Sequence, residues 1–392
     1  MIWFLVLDEA LYAAARMRDL VAISKRNHQV TCIFPVLRNT PEFRQENLKI
    51  ETVRVGRLLP IVSYLRFCLM GLRAIFKHNR NPDAVVLGAN LLPLAFPWLL
   101  LRMFRHKNRP VLAVRETSPP VEVHSTRRYY QPIFRSLSLR LFSPLCDAIF
   151  AISPLHAQRI VAEFKVPPRR VHVWPSSVDT DLFSSQIHSN GGYMLRKKLK
   201  AEHKFLLIYH GTLSDERGLY ELIEAVRRVH EKGERVLLLL LGKGKAEPRL
   251  KEQIRSYGLN DIVLLHGPVA YADVPKFIAA ADAGIVPLPD HPQWRYQTPT
   301  KVLEYLAMRK PVIITDIGAH RLIVGDQPAV FSCGGGSPSE IATAIEQCIH
   351  ARENAEEINR DQIVKYSPDA IADDLLKTFD DLMHSWRRRT VG

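Results

Sequence analysis

The feature that most limits what this chain can fold into is an alternation, made twice, of short continuously apolar runs with helical patterns. In the first half the runs are "IWFLVL", "QVTCIFPV", "AVVLG", "PVLAVRE", "AIFAIS" and "RVHVWPSSV"; in the second they are "FLLIYHG", "RVLLLLLG", "IVLLHG", "AGIVPL", "PVIITD" and "AVFSC". Runs that stay apolar at every residue are strands buried on both faces, and the helices between them cover those faces. This predicts parallel sheets in doubly wound α/β domains. The series restarts after the polar, glycine-containing stretch "SSQIHSNGGYMLRKKLKAEHK". We therefore expect a Rossmann-like domain over 1–180, a linker at 181–203 and a second Rossmann-like domain over 204–370. An amphipathic helix over 371–392 is placed to pack back on the first domain. A length of 392 residues suits two domains of roughly 150–200 residues each. Two such domains facing each other across a deep cleft would bind ligands at the C-terminal ends of their strands.

Charge separates the halves. Residues 1–180 carry 26 basic and 12 acidic side chains, a net +14, and residues 181–392 are neutral. Such asymmetry attracts an anionic surface or acceptor. Nucleic acid is the weakest of these partners, because the basic half has no aromatic-interleaved surface or recognised motif. Residues 61–80, "IVSYLRFCLMGLRAIFKHNR", place Arg66, Arg73, Lys77 and Arg80 among Leu, Phe and Met. That pattern fits a helix lying in an anionic membrane interface and equally a helix covering a sheet. The longest apolar run, 91–104, holds two prolines and an arginine and falls short of the ~20 residues that span a bilayer. "MIWFLVL" runs into Asp8 and Glu9 without a basic leader, so no signal peptide is expected. The five cysteines, Cys32, Cys68, Cys146, Cys333 and Cys348, show no metal or disulfide spacing and read as buried thiols in a reducing compartment.

Three loops of the second half follow strands and open helices. They are Gly211-Thr212 leading to Arg217-Gly218, then Gly242-x-Gly244, then "TPTKVLEYLAMRKPVIITD" from Thr298 to Asp316. Glycines allow close backbone approach, and helix starts present unpaired N–H groups with positive dipole character. Together the three loops make a cradle for a diphosphate. The last one also carries Glu304 among Val, Leu and Tyr, a carboxylate that a purely structural helix has no need of.

With these loops in order, the chain resembles the retaining glycosyltransferases of family 4 (glycosyl transferases group 1), which have the GT-B fold of two facing Rossmann-like domains. The likeness runs through "RIVAEFKVPPRRVHVWPSSVDTDLF", "GTLSDERGLYELIEA", "LLGKGKAEPRL", "HGPVAYADVPKFIAAADAGIVPL" and "PTKVLEYLAMRKPVIITDIG". The resemblance implies that Glu304 is the second carboxylate of a Glu-x7-Glu motif and binds ribose hydroxyls. It implies that the amides around Thr300 and Lys301 meet the diphosphate, and that Arg217 neutralises it where the family has a lysine. Gly211, Thr212, Gly242 and Gly244 would line the donor, and Val269 would lie beside the base. Two departures stand out. Tyr296 occupies the position of the first glutamate, and Thr212 that of the family's arginine; Lys301 is a candidate to replace the missing charge. In the first domain Arg115-Glu116 resembles an Arg-Asp pair of some members, facing the acceptor or donor sugar. An internal ion pair is the other reading of those two residues. Asp8, ending the first strand, is a further cleft candidate; His210 and His124 rank below Glu116.

The expectation is a metal-independent, retaining transferase without cofactor. A nucleotide-diphosphate sugar would bind the second domain, and a lipid-linked or glycan acceptor the basic first one. The site would be cytoplasmic, on the inner face of a membrane. Catalytic roles fall to Arg217, Lys301, Glu304, Arg115 and Glu116. A sugar-nucleotide epimerase of the same fold, or a degenerate scaffold that has lost the glutamate and arginine, are the alternatives.

Overall fold

The computed structural model describes residues 2–6, 14–36, 46–54, 82–88, 110–116, 136–137, 139–292, 294–325, 327, 329–351, 358 and 361–391. Asp8, Cys68, His124 and the segments 61–80 and 91–104 lie outside these. The described residues form two compact units, one of residues up to 177 together with 368–391, the other of 178–367.

The first unit holds a seven-stranded sheet in the order β3-β2-β1-β4-β5-β6-β7. Its strands are β1 (Ile2–Val6), β2 (Gln29–Val36), β3 (Leu48–Arg54), β4 (Ala84–Gly88), β5 (Val111–Glu116), β6 (Ala148–Ala151) and β7 (Val171–Val173). Every pairing is parallel. The apolar runs mark all of these strands but β3. That strand lies at the sheet edge with Leu48 buried and Lys49 exposed, and an edge strand does not need continuous apolarity. Helices α1 (Ala14–Lys25) and α2 (Pro154–Phe164) accompany the sheet; Ser153 caps α2 by accepting from the His156 amide at 3.1 Å.

The second unit is a six-stranded parallel sheet ordered β10-β9-β8-β11-β12-β13. It comprises β8 (Phe205–His210), β9 (Val236–Leu241), β10 (Val263–Gly267), β11 (Ala283–Val286), β12 (Val312–Ile314) and β13 (Val330–Ser332). Each of the six apolar runs of the second half has become a strand. β8 and β9 are buried at every residue.

Residues 181–203, expected as a linker, instead contain helix α3 (Ser185–Lys198) within the second unit. Its glycines are packing residues, not breakers. A β-carbon at Gly192 would stand 2.7 Å from Ala279 Cβ on α6 (Val274–Ala280). Arg196 secures the contact, donating to Ala280 O at 3.0 Å and to Lys204 O at 2.7 Å, with Asp282 at 2.9 Å. The chain passes between units at 177/178 instead.

The sheet is covered by α4 (Leu219–Glu231), α5 (Glu247–Ser256), α6, α7 (Thr300–Ala307), α8 (Gly318–Val324) and α9 (Pro338–His350). α4 shows why such segments become helices: Leu219, Leu222, Ile223, Val226 and Val229 recur on one buried stripe. The last helix, α10 (Pro368–Val391), returns to the first unit. Its Ile371, Ala372, Leu375 and Phe379 are buried in that core, and Phe379 stacks on Phe150 with centroids 5.3 Å apart. Arg26 of α1 binds Asp369 and Asp373, each at 2.7 Å.

Candidate functional site

The order of the second sheet reverses between β8 and β11, and ligands of doubly wound sheets bind outside the carboxyl ends of strands at that reversal. His210 ends β8 there, with Gly211 next, and Pro287 follows β11. Gly218 brings the first loop against the second strand's exit. With φ of +68° it is in the left-handed region, and a β-carbon on it would stand 1.9 Å from Pro287 O, so only glycine fits. The preceding 3-10 turn, Asp215–Arg217, presents Arg217, whose guanidinium lies 4.5 Å from the centre of the buried Trp294 ring.

Gly242 and Gly244 have a different part from the one expected. β-Carbons on them would meet Gly211 O and Leu213 O, each at 1.9 Å. The second loop is thus seated backbone to backbone on the first, an arrangement sealed by Leu213 N donating to Lys243 O at 3.1 Å. These glycines shape the cradle from behind. Thr212 contributes its carbonyl to that framework, accepting from the Tyr209 hydroxyl at 2.9 Å.

Helix α7 supplies the charged groups. Pro299 precedes it and fixes the entry, Thr300 opens it, and Val302, Leu303, Tyr305, Leu306 and Ala307 are buried. The end of the Lys301 side chain rests on Gly211: a β-carbon there would be 2.6 Å from Lys301 Cε and 3.0 Å from Nζ. Nζ also lies 5.5 Å from the centre of the Tyr209 ring. Lys301 keeps some solvent-accessible surface, but protein atoms crowd around it. That burial and the nearby Arg217 charge lower its pKa to about 7, with Glu304 acting the other way.

One turn on, Glu304 is only 3% exposed. The Tyr271 hydroxyl donates to its Oε1 at 2.6 Å, and His210 Nε2 lies 3.2 Å from its Oε2. The latter pair is at ion-pair distance without the alignment of a hydrogen bond, and His210 Nε2 has no other partner. Burial raises the carboxyl pKa, but His210, Tyr271 and Lys301 together outweigh it and hold it below the usual carboxylate range. An ionised carboxylate offers about four lone-pair sites, so capacity for ligand hydroxyls remains.

Tyr296, at the position of the missing glutamate, ends the 3-10 turn Trp294–Tyr296. Asp290 clamps that turn by accepting from Arg295 at 2.7 and 2.9 Å. Val269 lies between β10 and the turn Tyr271–Asp273 and packs partly on the core. Thus the structure gathers Gly211, Arg217, Lys301 and Glu304 and adds His210, Tyr271 and Trp294, which the sequence reading passed over. For His210 a signal existed, since it is the last residue of a buried strand before a loop glycine. Tyr271 and Trp294 come from loops whose folding no local pattern announces.

The first unit corrects the expected Arg115–Glu116 pair. Neighbours on a strand point to opposite faces. Arg115 is buried with its guanidinium 4.1 Å from the centre of the Trp174 ring. Trp174 Nε1 in turn donates to the buried Asp19 at 3.0 Å. Burial lowers the Arg115 pKa to about 10 despite the Asp19 charge, and burial likewise raises Asp19. Arg115 therefore belongs to an internal Arg–Trp–Asp cluster. Glu116, on the other face, approaches His156 of α2 at 3.8 Å. Cys32, Cys146, Cys333 and Cys348 are buried and form no disulfide. Among the described residues no cluster of His, Cys, Asp or Glu has the arrangement of a metal site, and no helix is long and apolar enough to cross a membrane.

Comparison with known proteins agrees with this architecture. The family model of glycosyl transferases group 1 matches residues 194–367, and that of glycosyltransferase family 4 matches 20–182. An alpha-D-kanosaminyltransferase from Streptomyces kanamyceticus is 24% identical over 276 residues, 65% of this chain and 68% of that protein. Two further curated relatives are matched over 56% and 42% of their own lengths, so the chain spans about half of each. Among solved structures, Anabaena Alr3699/HepE in complex with UDP superposes with a TM-score of 0.71 at 16% identity, covering 97% of this chain and 100% of that one. Sucrose-phosphate synthase from Thermosynechococcus elongatus gives 0.76 at 15% identity, covering 98% and 100%. With both units matched by its models, the chain belongs to the GT-B glycosyltransferases of group 1 and family 4.

Proposed function

We propose that this chain is a retaining, metal-independent glycosyltransferase that moves a sugar from a nucleotide-diphosphate sugar to a lipid-linked or other glycan-precursor acceptor. The observation that carries the reading is the convergence of Arg217, Lys301 and the start of α7 at the sheet reversal, beside the buried carboxylate of Glu304. In this reading the diphosphate lies against Gly211 and the first turn of α7. Its charge grows as the glycosidic bond breaks, and Arg217 and Lys301 stabilise it in the part a metal takes elsewhere. Arginine contacts a phosphate bidentately. Lys301, with its pKa near 7, takes up a proton as the dianion binds. Glu304 accepts from ribose hydroxyls. The sugar would face Tyr296 where relatives present a carboxylate, and the acceptor would attack on the same face as the departing diphosphate.

The acceptor side is assigned to the first unit, with Glu116 and Asp8 as its candidates and Arg115 reassigned to the core. The +14 charge of residues 1–180 supports an anionic, membrane-located acceptor, hence a peripheral place on the cytoplasmic face. UDP in the Anabaena structure and the kanosaminyltransferase relative support a nucleotide-sugar donor.

A thermal-shift screen against UDP-, GDP-, ADP- and dTDP-sugars tests the donor. Stabilisation by one nucleotide, abolished in Glu304→Ala, is the expected result; no response to any of them would favour an inactive scaffold, the reading Tyr296 makes possible. Product stereochemistry tests retention. Sedimentation with anionic vesicles at graded salt tests the membrane part, which fails if the protein stays in the supernatant throughout.

A further inference from the structure

His210 has no role in the chemistry above, yet it stands at the centre of the site. It is 7% exposed, its Nε2 faces Glu304 Oε2 at 3.2 Å without a hydrogen bond, and its ring lies edge-on to Tyr305 at 5.2 Å. A buried imidazole nitrogen without a hydrogen bond carries a desolvation cost, which makes its orientation toward a carboxylate informative. Tyr271 already holds the other oxygen, Oε1. The one carboxylate oxygen left for a ligand is the one His210 faces.

We propose that His210 is a positioning residue for the donor's ribose: as an imidazolium it occupies Glu304 Oε2, and as a neutral imidazole it leaves that oxygen to a ribose hydroxyl. The inference rests on the donor reading above. Ribose recognition is then linked to one proton, which leaves His210 for solvent as the hydroxyl takes its place. Histidine is the side chain whose charge changes in the physiological range. Glu304 stays ionised there, since its neighbours hold it below the ordinary carboxylate range. The other titratable groups around the pair are Lys301 and Tyr305 on α7, Tyr271 on its 3-10 turn, Arg217 after β8 and Tyr209 on β8. Tyr209 is pushed up to about 12 by burial and Tyr305 is also raised, so neither titrates near neutrality. Lys301 does, but it acts on phosphate and affects ribose and deoxyribose ligands alike.

The test uses that cancellation. Dissociation constants of UDP, GDP and ADP and of their 2′-deoxy counterparts are measured on the full chain between pH 5.5 and 8.5. For the diphosphate that binds best, the deoxy-to-ribo ratio of Kd should rise with pH by about two- to tenfold, the worth of one hydrogen bond. In His210→Gln the ratio should be independent of pH. A flat ratio in the wild-type protein, or a ratio that still rises in His210→Gln, overturns the proposal while leaving the donor reading intact. The wild-type profile decides the matter even if the variant fails to fold. Binding of none of the six ligands at any pH overturns both readings.

Discussion

At the scale of single residues, Lys301 shows how a fold sets the chemistry of a side chain. Its ammonium rests on a glycine, close to Arg217 and beneath enough protein for its pKa to fall to about 7. A diphosphate should therefore bind more weakly as pH rises from 6 to 8.5, because the cation is lost over that window. Titration calorimetry should show proton uptake on binding at pH 8. In Lys301→Arg, whose charge persists at all these values, the affinity should stay level. Glu304→Ala removes a buried carboxylate and strands the Tyr271 hydroxyl. Donor affinity should fall about ten- to a hundredfold, the range for charge-assisted hydrogen bonds, measured by equilibrium binding with the nucleotide that the thermal screen selects.

At the scale of elements, the site is a consequence of loop seating. The loops after β8 and β9 are stacked through Gly242 and Gly244, and Gly218 presses the helix start of α4 against Pro287 O after β11. Gly218→Ala should lower stability by about 2 kcal/mol or more, from left-handed backbone strain with the steric overlap added. Urea denaturation followed by circular dichroism measures this, and the affinity for nucleoside diphosphate should fall with it because Arg217 is the adjacent residue.

At the scale of the whole molecule, the two units divide the work unevenly. All the donor candidates lie in 178–367, while the last helix belongs to the core of the first unit. Phe379→Ala should cost about 3–5 kcal/mol, typical of losing a buried aromatic, and lower the melting transition of the first unit. Nucleotide affinity should remain as in the wild type. A variant that lost donor binding in step with stability would show that the units are coupled, against this expectation.

What the sequence by itself determined is the class of fold and the position of the phosphate cradle. Continuous apolar runs can be satisfied only by strands covered on both faces, and helix α7 declares itself through Pro299, Thr300, Lys301 and Glu304. Local pattern also carried the edge strand β3 and the helix α3, but weakly. β3 alternates as one-sided strands do, and α3 hides behind glycines that look like breakers until Ala279 is found against them. Tertiary structure alone decided that Arg115 turns into the core while Glu116 turns away. It alone brought His210, Tyr271 and Trp294, from three separate segments, to the groups on α7 and to Arg217. Charge, burial and distance between residues far apart in the chain are properties of the folded molecule. No window of sequence contains them.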